Sequence, residues 1–564
     1  MARTVGLGIQ SFDKIIENGY FYVDKTEFIR EWWENGAEVT LITRPRRFGK
    51  TLNMSMTEQF FSNRYTGRGD LFRGLSIWRE EKYRALQGSY PVISLSFADI
   101  KETNFPDAKK KICQTLANEF LQRQYLLDGN NLTETEKKIF INKNAQMDNI
   151  DAALALKQLS EYLCRHDEKK VIILLDEYDT PMQEAYVHGY WEELAAFMRS
   201  LFNSTFKTNP WLERAVMTGI TRISKESIFS DLNHLKVVTT TSDEYGSCFG
   251  FTEEEVFAAM DEYGLSEKEL VKSWYDGFIF GQHKEIYNPW SVINYLDTGK
   301  IAPYWANTSS NSLAGKLIRE GNKNIKISFE KLLNGESFRI PIDEQIVYNQ
   351  LDDNENAIWS LLLASGYLKA ADHDSYDTAA PVPPEYELAV TNLEVSLMFR
   401  DMVRMWFAKN ATDYNDFLKA LILGDLDAMN EYMNRVARTT FSCFDTGKNL
   451  SHAEPERFYH GFVLGLMVEL SGRYCITSNR ESGFGRYDIM MEPLRKEENA
   501  IILEFKVFNA KRDKSLEDTV EAALRQIEEK QYAAVLVSRG IAQNRIKKYG
   551  FAFRGKEVLI DQCL

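Results

Sequence analysis

Four short apolar runs in the first 250 residues are separated by longer amphipathic stretches. They are VTLITR (39–44), YPVISLSF (90–97), KVIILLDEYD (170–179) and RAVMTGITRI (214–223). VIILL is apolar at every position, as a parallel strand covered on both faces requires. Strands alternating with helices predict an α/β sheet sandwiched between helices. From FGFTEEEVFAAM onward the pattern turns mainly helical, and Thr252 and Glu255 have capping-box spacing.

Further on, ENAIWSLLLASGYLKAADHDSYDTAAPVPPEYELAVTN predicts a helix running into a hairpin, a winged-helix-like module. Residues 400–440 read as helices. A last unit opens with a helix in SHAEPERFYHGFVLGLMVEL. The strands GRYDIMMEP and AIILEFKVF, the helix LEDTVEAALRQIEEK and a strand in YAAVLVS follow. The expected domains are an α/β core over 1–250, a helical and winged-helix-like region over 251–400, a helical connector over 401–445, and a C-terminal α/β domain over 446–564.

The chain of 564 residues is too long for one core, which agrees with several domains. Its net charge of −14 gives no global signal for nucleic acid. The charge is uneven, however. From Asp445 onward there are 19 Lys+Arg against 18 Asp+Glu, or +1, and the remainder carries 49 against 64, or −15. The C-terminal part is therefore the better place for a polyanion. The six cysteines form no C-x-x-C, which argues against a disulfide framework or a structural zinc site. The first residues have no apolar signal region, and no stretch reaches the roughly 18 apolar residues that span a bilayer. A soluble cytoplasmic protein is expected, without a membrane partner.

The first candidate site lies in TLITRPRRFGKTLNMS (40–55). It ends like a phosphate-binding loop, with Gly49, Lys50 and Thr51. The usual G-x-x-x-x-G-K-[ST] pattern needs glycine at position 44, where this chain has Arg44. Pro45 holds the preceding residue in extended space, so Arg44 is expected to continue the strand. The sharp turn then falls on Arg46, Arg47, Phe48 and Gly49, with glycine where a positive φ is tolerated. Backbone N–H groups at a helix start, the Lys50 charge and the Thr51 hydroxyl are what a nucleotide phosphate and its Mg²⁺ require. Alone, the segment reads equally well as a strand–turn–helix with a solvated basic turn.

VIILLDEYDTP supplies a second half. Asp176 at a strand's C-terminal end offers a hard oxygen ligand to Mg²⁺, and Glu177 beside it can polarise an attacking water. AVMTGITRISK is a third strand end, placing Thr218 and Arg222 near the γ-phosphate. An ordinary strand stop at Gly219 explains that segment as well.

The second candidate site is in the C-terminal unit. Glu504 and Lys506 share one face of a strand. A turn at LRKEEN makes an antiparallel hairpin that brings Asp488 opposite Glu504. Two carboxylates and a lysine on adjacent strands suit metal-assisted phosphodiester cleavage. A solvated face with a cross-strand ion pair is the simpler alternative. Arg480 and Arg486 near the first hairpin are candidate phosphate contacts. Arg539, Arg545, Lys547 and Lys548 form a basic run that reads as a solvated helix face.

Six stretches together, FYVDKTEFI, LITRPRRFGKTL, IILLDEYDTPM, TGITRISKESIFSDLNHL, FGFTEEEV and WYDGFIFGQHKEIYNPWSVINYL, resemble the AAA-ATPase-like family of bacterial proteins. That family often carries a C-terminal PD-(D/E)XK nuclease-type domain, and its loop is typically arginine-rich in place of the first glycine. The resemblance spans most of residues 5–400. It implies a P-loop core that binds ATP and Mg²⁺. It places Tyr22, Asp24 and Lys25 near the nucleotide, and Asn288 and Pro289 in a lid facing it. The proline independently predicts a helix-starting turn there. The order Asp488, Glu504-x-Lys506 and a helix with Gln526 resembles the RecB-like branch of the PD-(D/E)XK superfamily. That resemblance implies His460 as a further metal ligand, and Gln526 and Tyr532 as residues that hold the site or the DNA. Tyr487 stands where the superfamily's proline would be.

The expected function is ATP-dependent, Mg²⁺-dependent DNA cleavage, with Mn²⁺ able to substitute. The rival is a regulatory STAND-like NTPase switch whose C-terminal domain binds nucleic acid without cutting it. Self-association into a homo-oligomer is left open.

Overall fold

The computed structural model describes the chain except residues 1, 130, 223–228, 230, 231, 233, 307–311, 322, 343–350, 352–354, 374–383, 408–410, 445–464, 466–469, 471, 479, 480, 483, 484, 496, 511, 556, 563 and 564. It falls into two compact units, Met1–Ala314 with Ser337–Ser396, and Gly315–Glu336 with Leu397–Leu564.

The first unit is built on a parallel five-stranded sheet. Its strands are β1 (Val39–Thr43), β2 (Val92–Ser96), β3 (Val171–Asp176), β4 (Leu212–Gly219) and β5 (Leu235–Val238), in the order β2-β3-β4-β1-β5. Every residue of β1 and β3 is buried, which is why their sequences do not alternate. The four predicted apolar runs are β1 to β4. Crossover helices start at the caps the sequence offers. Asn104 accepts from the Asp107 amide at 3.0 Å to open Phe105–Leu121, and Asp148 accepts from the Asp151 amide at 2.8 Å to open Asn149–Asp167. Phe12, Phe28, Trp32, Phe60, Phe61 and Phe72 form an aromatic core beside the sheet. Each such side chain contributes about 1.5–3 kcal/mol by burial.

A smaller antiparallel sheet follows, from β6 (Phe251–Thr252), β7 (Phe278–Phe280) and β8 (His283–Tyr287), in the order β6-β8-β7. The Thr252–Glu255 capping box forms and opens the helix Glu253–Tyr263. The helix Glu355–Ala364 then runs into the hairpin β10 (Leu368–His373) and β11 (Glu385–Val390), as the sequence predicts. The strand β9 (Phe338–Pro341) pairs with β11 on its other side.

The second unit contains a mixed sheet, ordered β12-β15-β16-β17-β18. Its members are β12 (Tyr474–Ser478), β15 (Ile489–Pro493), β16 (Ala500–Val507), β17 (Ile546–Arg554) and β18 (Glu557–Gln562), with a short hairpin β13 (Glu481–Ser482) and β14 (Gly485–Arg486) beside them. Only the β16–β17 pair is parallel, and the helix Leu516–Glu529 makes its crossover. The edge strand β18 is closed by two side-chain amides one helical turn apart. Asn430 exchanges hydrogen bonds of 2.8 Å with both backbone groups of Ile560, and Asn434 does the same with Val558 at 2.7 and 3.0 Å.

One expectation is overturned. YAAVLVS is not a strand; Ala534–Ser538 is a short helix. Only Leu536 of that helix is buried, whereas β17 buries five consecutive residues from Tyr549 to Phe553. The longer apolar run takes the place beside β16. Among the described residues no helix is long and apolar enough to cross a membrane.

Candidate functional sites

The phosphate loop leaves β1 and enters the helix Lys50–Phe61. β1 ends at Thr43, one residue short of the expected extension, although the Arg44 amide just beyond it still donates to Gly219 O at 3.1 Å. The turn falls on Arg47 and Gly49, both left-handed at φ 66° and 79°. The Arg44 side chain is fully buried. Its guanidinium donates to the carbonyls of Thr43 (2.9 Å), Thr239 (2.6 Å) and Glu244 (3.1 Å) and lies 4.5 Å from the Phe280 ring centroid. Burial pulls its pKa down to about 10. Arg44 is therefore a clamp on carbonyl groups beyond the strand ends, a role that sequence reasoning missed.

Lys50 is buried and its ammonium donates to Arg44 O at 2.9 Å and Pro45 O at 2.8 Å. Burial lowers its pKa, against the opposing pull of Glu177 and Asp176. Thr51 Oγ1 donates to Asp176 Oδ2 at 2.7 Å, and Thr218 Oγ1 donates to the other Asp176 oxygen. Burial raises the Asp176 pKa. Glu177 holds a left-handed φ of 50° and accepts from Thr180 Oγ1 at 3.1 Å. Asp179, buried and also raised in pKa by burial, accepts from the amides of Ile220 (3.0 Å) and Thr221 (2.9 Å) and from the Thr221 hydroxyl. This anchors the chain after β4. Gly219 is needed there because a Cβ would meet Asp179 Oδ1 at 2.7 Å.

Of these groups, Lys50, Thr51 and Glu177 border a cleft of about 620 Å³ in the first unit. Of the residues expected near a nucleotide, Tyr22, Lys25, Arg46, Arg47, Phe48, Gly49, Lys50, Thr51, Glu177 and Pro289 line it. Arg47 lies 4.6 Å from the ring centroid of Trp290, which also lines it. Lys25 pairs with Glu255 at 2.6 Å. The Phe48 ring is buried against Phe278 and Phe280, with centroids 4.7 and 5.6 Å away. Asp24, Asp176, Thr218, Arg222 and Asn288 are not in the lining. The Asp24 carboxylate instead accepts from Thr26 and the Ser76 amide (2.7 Å). Asn288 caps the helix Pro289–Thr298 through the Ser291 amide at 3.2 Å, the helix-starting turn that its proline predicts. Arg222 is half-buried, three residues past β4.

In the second unit the β15–β16 register pairs Ile489 with Leu503. One step back, Asp488 meets Glu504, as the hairpin requires. The Asp488 amide donates to Glu504 Oε2 at 3.3 Å, and Asp488 Oδ2 accepts from the Phe505 amide at 2.7 Å. Lys506 Nζ donates to Gln526 Oε1 at 2.6 Å, and the Gln526 amide donates to Glu504 and, at 3.0 Å, to the Tyr532 hydroxyl. Gln526 thus bridges Glu504, Lys506 and Tyr532. Glu504 and Tyr532 are buried, and burial raises the Tyr532 pKa.

No group of three metal-ligating side chains converges among the described residues. Asp488 and Glu504 supply two hard oxygen donors, the class that Mg²⁺ takes. His460 and Arg480 lie outside the described residues, and Arg486 is in β14. The basic run is not a solvated helix face. Lys547 and Lys548 are in β17, where Lys547 donates to Leu423 O at 3.0 Å and Lys548 pairs with Glu528 at 2.5 Å. Arg539 pairs with Glu492, and Arg545 donates to Glu498 O. The parallel pairing of β16 draws Lys547 and Lys548 into the sheet, and all four cations bond within the protein.

Residues 6–229 match the model of the predicted AAA-ATPase family, and residues 454–563 match a PD-(D/E)XK nuclease superfamily model. A protein named only as uncharacterized, in the vnfD 5′ region of Azotobacter chroococcum mcd 1, is 28% identical over 322 residues. That stretch is 56% of this chain and 56% of the relative, so the chain spans about half the length of the protein it matches. The chain thus carries an AAA-ATPase-like region followed by a PD-(D/E)XK nuclease-type region.

Proposed function

We propose that this protein binds and hydrolyses ATP in the 620 Å³ cleft and cleaves DNA at the Asp488–Glu504–Lys506 cluster, with nucleotide governing cleavage. The observation that carries the reading is the convergence of Thr51 on Asp176, 2.7 Å apart, at the start of the phosphate-loop helix. The cleft volume lies within the range of nucleotide-sized sites.

The N–H groups of Arg47 to Thr51 and the helix start receive the phosphates. Lys50 turns from its own loop's carbonyls to the β- and γ-phosphates. Thr51 and Asp176 would hold Mg²⁺, which would supply neutralisation of the phosphate charge. Glu177, at the cleft wall, orients the attacking water. In the second unit Asp488 and Glu504 would hold a divalent ion, which would supply water activation and offset phosphate charge. Gln526 fixes Glu504 and Lys506 relative to each other, and Lys506 steadies the nucleophile. The presence of all three cluster residues favours cleavage over binding alone.

The test is a cleavage assay on plasmid, linear and single-stranded DNA, with Mg²⁺ or Mn²⁺ and with and without ATP, beside an ATPase assay. Hydrolysis with ATP-dependent cleavage is expected. Hydrolysis and DNA binding without cleavage under any condition would leave the regulatory switch as the better reading.

A further inference from the structure

Three contacts hold the phosphate loop from outside, and they converge on one side chain that no motif flags. Trp305 Nε1 donates to Arg46 O at 3.0 Å. Trp290 stacks with Arg47 at 4.6 Å. The Phe48 ring packs against Phe278, which meets Trp305 with centroids 5.7 Å apart. Behind these groups lies Glu394, fully buried. One of its oxygens accepts from the amides of Trp305 (2.6 Å) and Ala306 (3.2 Å), and the other from the hydroxyl of Ser291 (2.8 Å), the residue after Trp290.

Glu394 stands in the first turn of the helix Leu393–Phe407. Residues up to Ser396 belong to the first unit and Leu397 onward to the second, so this helix begins in one and ends in the other.

We infer that Glu394 is a positioning residue that latches the phosphate loop to the first turn of this helix, so that nucleotide on the loop is registered there. The inference rests on the nucleotide reading of the cleft. The carboxylate suits the task because two oxygens serve three donors from two chain segments. Alanine would leave two buried amides and a hydroxyl without that acceptor. Glutamine keeps an oxygen for the amides and offers its NH₂ to the Ser291 hydroxyl. Burial pushes the Glu394 carboxyl up to about 7, as expected for a carboxylate held only by neutral donors.

Hydrogen–deuterium exchange on the full-length protein tests the latch. Without nucleotide, the amides of residues 44–50 should exchange about tenfold faster in Glu394→Ala and in Trp305→Phe, while Glu394→Gln should match the wild type. MgATP should slow exchange in both the loop and residues 393–400 of the wild type and Glu394→Gln, but in the loop alone of Glu394→Ala. The double variant should be no faster than the faster single, since both act through one chain of contacts. Wild-type loop exchange in Trp305→Phe, or additive effects in the double variant, would overturn the latch. If Glu394→Ala fails to fold, Trp305→Phe still carries the test, because its ring fills most of the same space. A wild-type protein that shows the nucleotide-free pattern but binds no MgATP overturns the nucleotide reading and supports the latch.

Discussion

Arg44 Nη1 donates to the carbonyl of Thr239 at 2.6 Å, bridging the chain just past the C-terminal ends of the neighbouring strands β1 and β5. The position where most phosphate loops have glycine is here a structural cation with three backbone carbonyls to satisfy. Restoring the common pattern should therefore harm the protein. Arg44→Gly should lower stability by about 2–5 kcal/mol, since it strands buried carbonyls and opens a cavity. Arg44→Lys should recover only part of this, because an ammonium lacks the planar fork. Thermal unfolding measures both, and an unchanged midpoint for Arg44→Gly would refute the clamp.

Lys50 and Glu177 should separate binding from hydrolysis. Lys50→Ala should weaken MgATP binding by about 10- to 100-fold, the worth of a charge-assisted contact. Glu177→Gln should bind MgATP normally and hydrolyse it about 100-fold more slowly or worse, because only the water-orienting carboxylate is lost. A fluorescent ATP analogue and single-turnover hydrolysis read the two effects. Unchanged turnover in Glu177→Gln would move the catalytic role elsewhere. Asp179 is a poor substitute, since its carboxylate already anchors Ile220 and Thr221.

Glu504→Ala and Lys506→Ala should both end DNA cleavage and leave ATP hydrolysis intact. They should differ in a metal titration. Glu504→Ala should need more Mg²⁺ for any residual rate, whereas Lys506→Ala should lose rate at unchanged metal affinity. Cleavage that persists in Glu504→Ala would dismiss this cluster as the cutting site. Gln526→Ala should lower the rate less than either, because it positions Glu504 and Lys506 without bonding the phosphate.

Glu394 should make stability depend on pH in an unusual direction for a carboxylate. Its folded pKa, about 7, exceeds its ordinary value of 4.5, so the folded state holds the proton more tightly. This contribution, about 3 kcal/mol by linkage, is fully present below pH 4.5 and is lost as pH rises through 7. Denaturant unfolding at pH 5 and pH 8 should show the loss in the wild type, and Glu394→Gln should remove that difference. The same slope in Glu394→Gln would assign the effect to other groups.

The candidate sites were legible where their geometry is written in neighbouring residues. Gly49-Lys50-Thr51, Asp176 at a strand end, and the hairpin setting Asp488 against Glu504 all follow from short-range spacing. What stayed hidden depends on distant partners. Arg44 reads as one more residue of the strand, and only Thr239 and Glu244 beside it show what its guanidinium holds. Glu394 sits in the first turn of a helix, an ordinary place for an acidic residue, yet its carboxylate turns inward to Trp305 and Ser291. YAAVLVS failed because local apolarity does not reveal that a longer run, 14 residues on, competes for the same place in the sheet.

The two units are not successive along the chain, because Gly315–Glu336 belongs to the second while Ser337–Ser396 returns to the first. No single cut can therefore yield two whole pieces, and a fragment ending near residue 396 would carry helices severed from their partners. Glu330, in the interrupting segment, accepts from the Ser478 amide at 2.8 Å, so its partner is made long after it. Synthesis adds about 5–20 residues per second. The ribosome would therefore need roughly 3–12 s to add the intervening 60 residues from Ser337 to Ser396 before the rest of the second unit even begins to emerge. During that interval the apolar face of Lys323–Leu333, with Ile325, Phe329 and Leu332, has only the short stretch Gly315–Glu336 of its own unit to pack against. The order of synthesis thus leaves one apolar helix waiting for most of its unit during a definable interval.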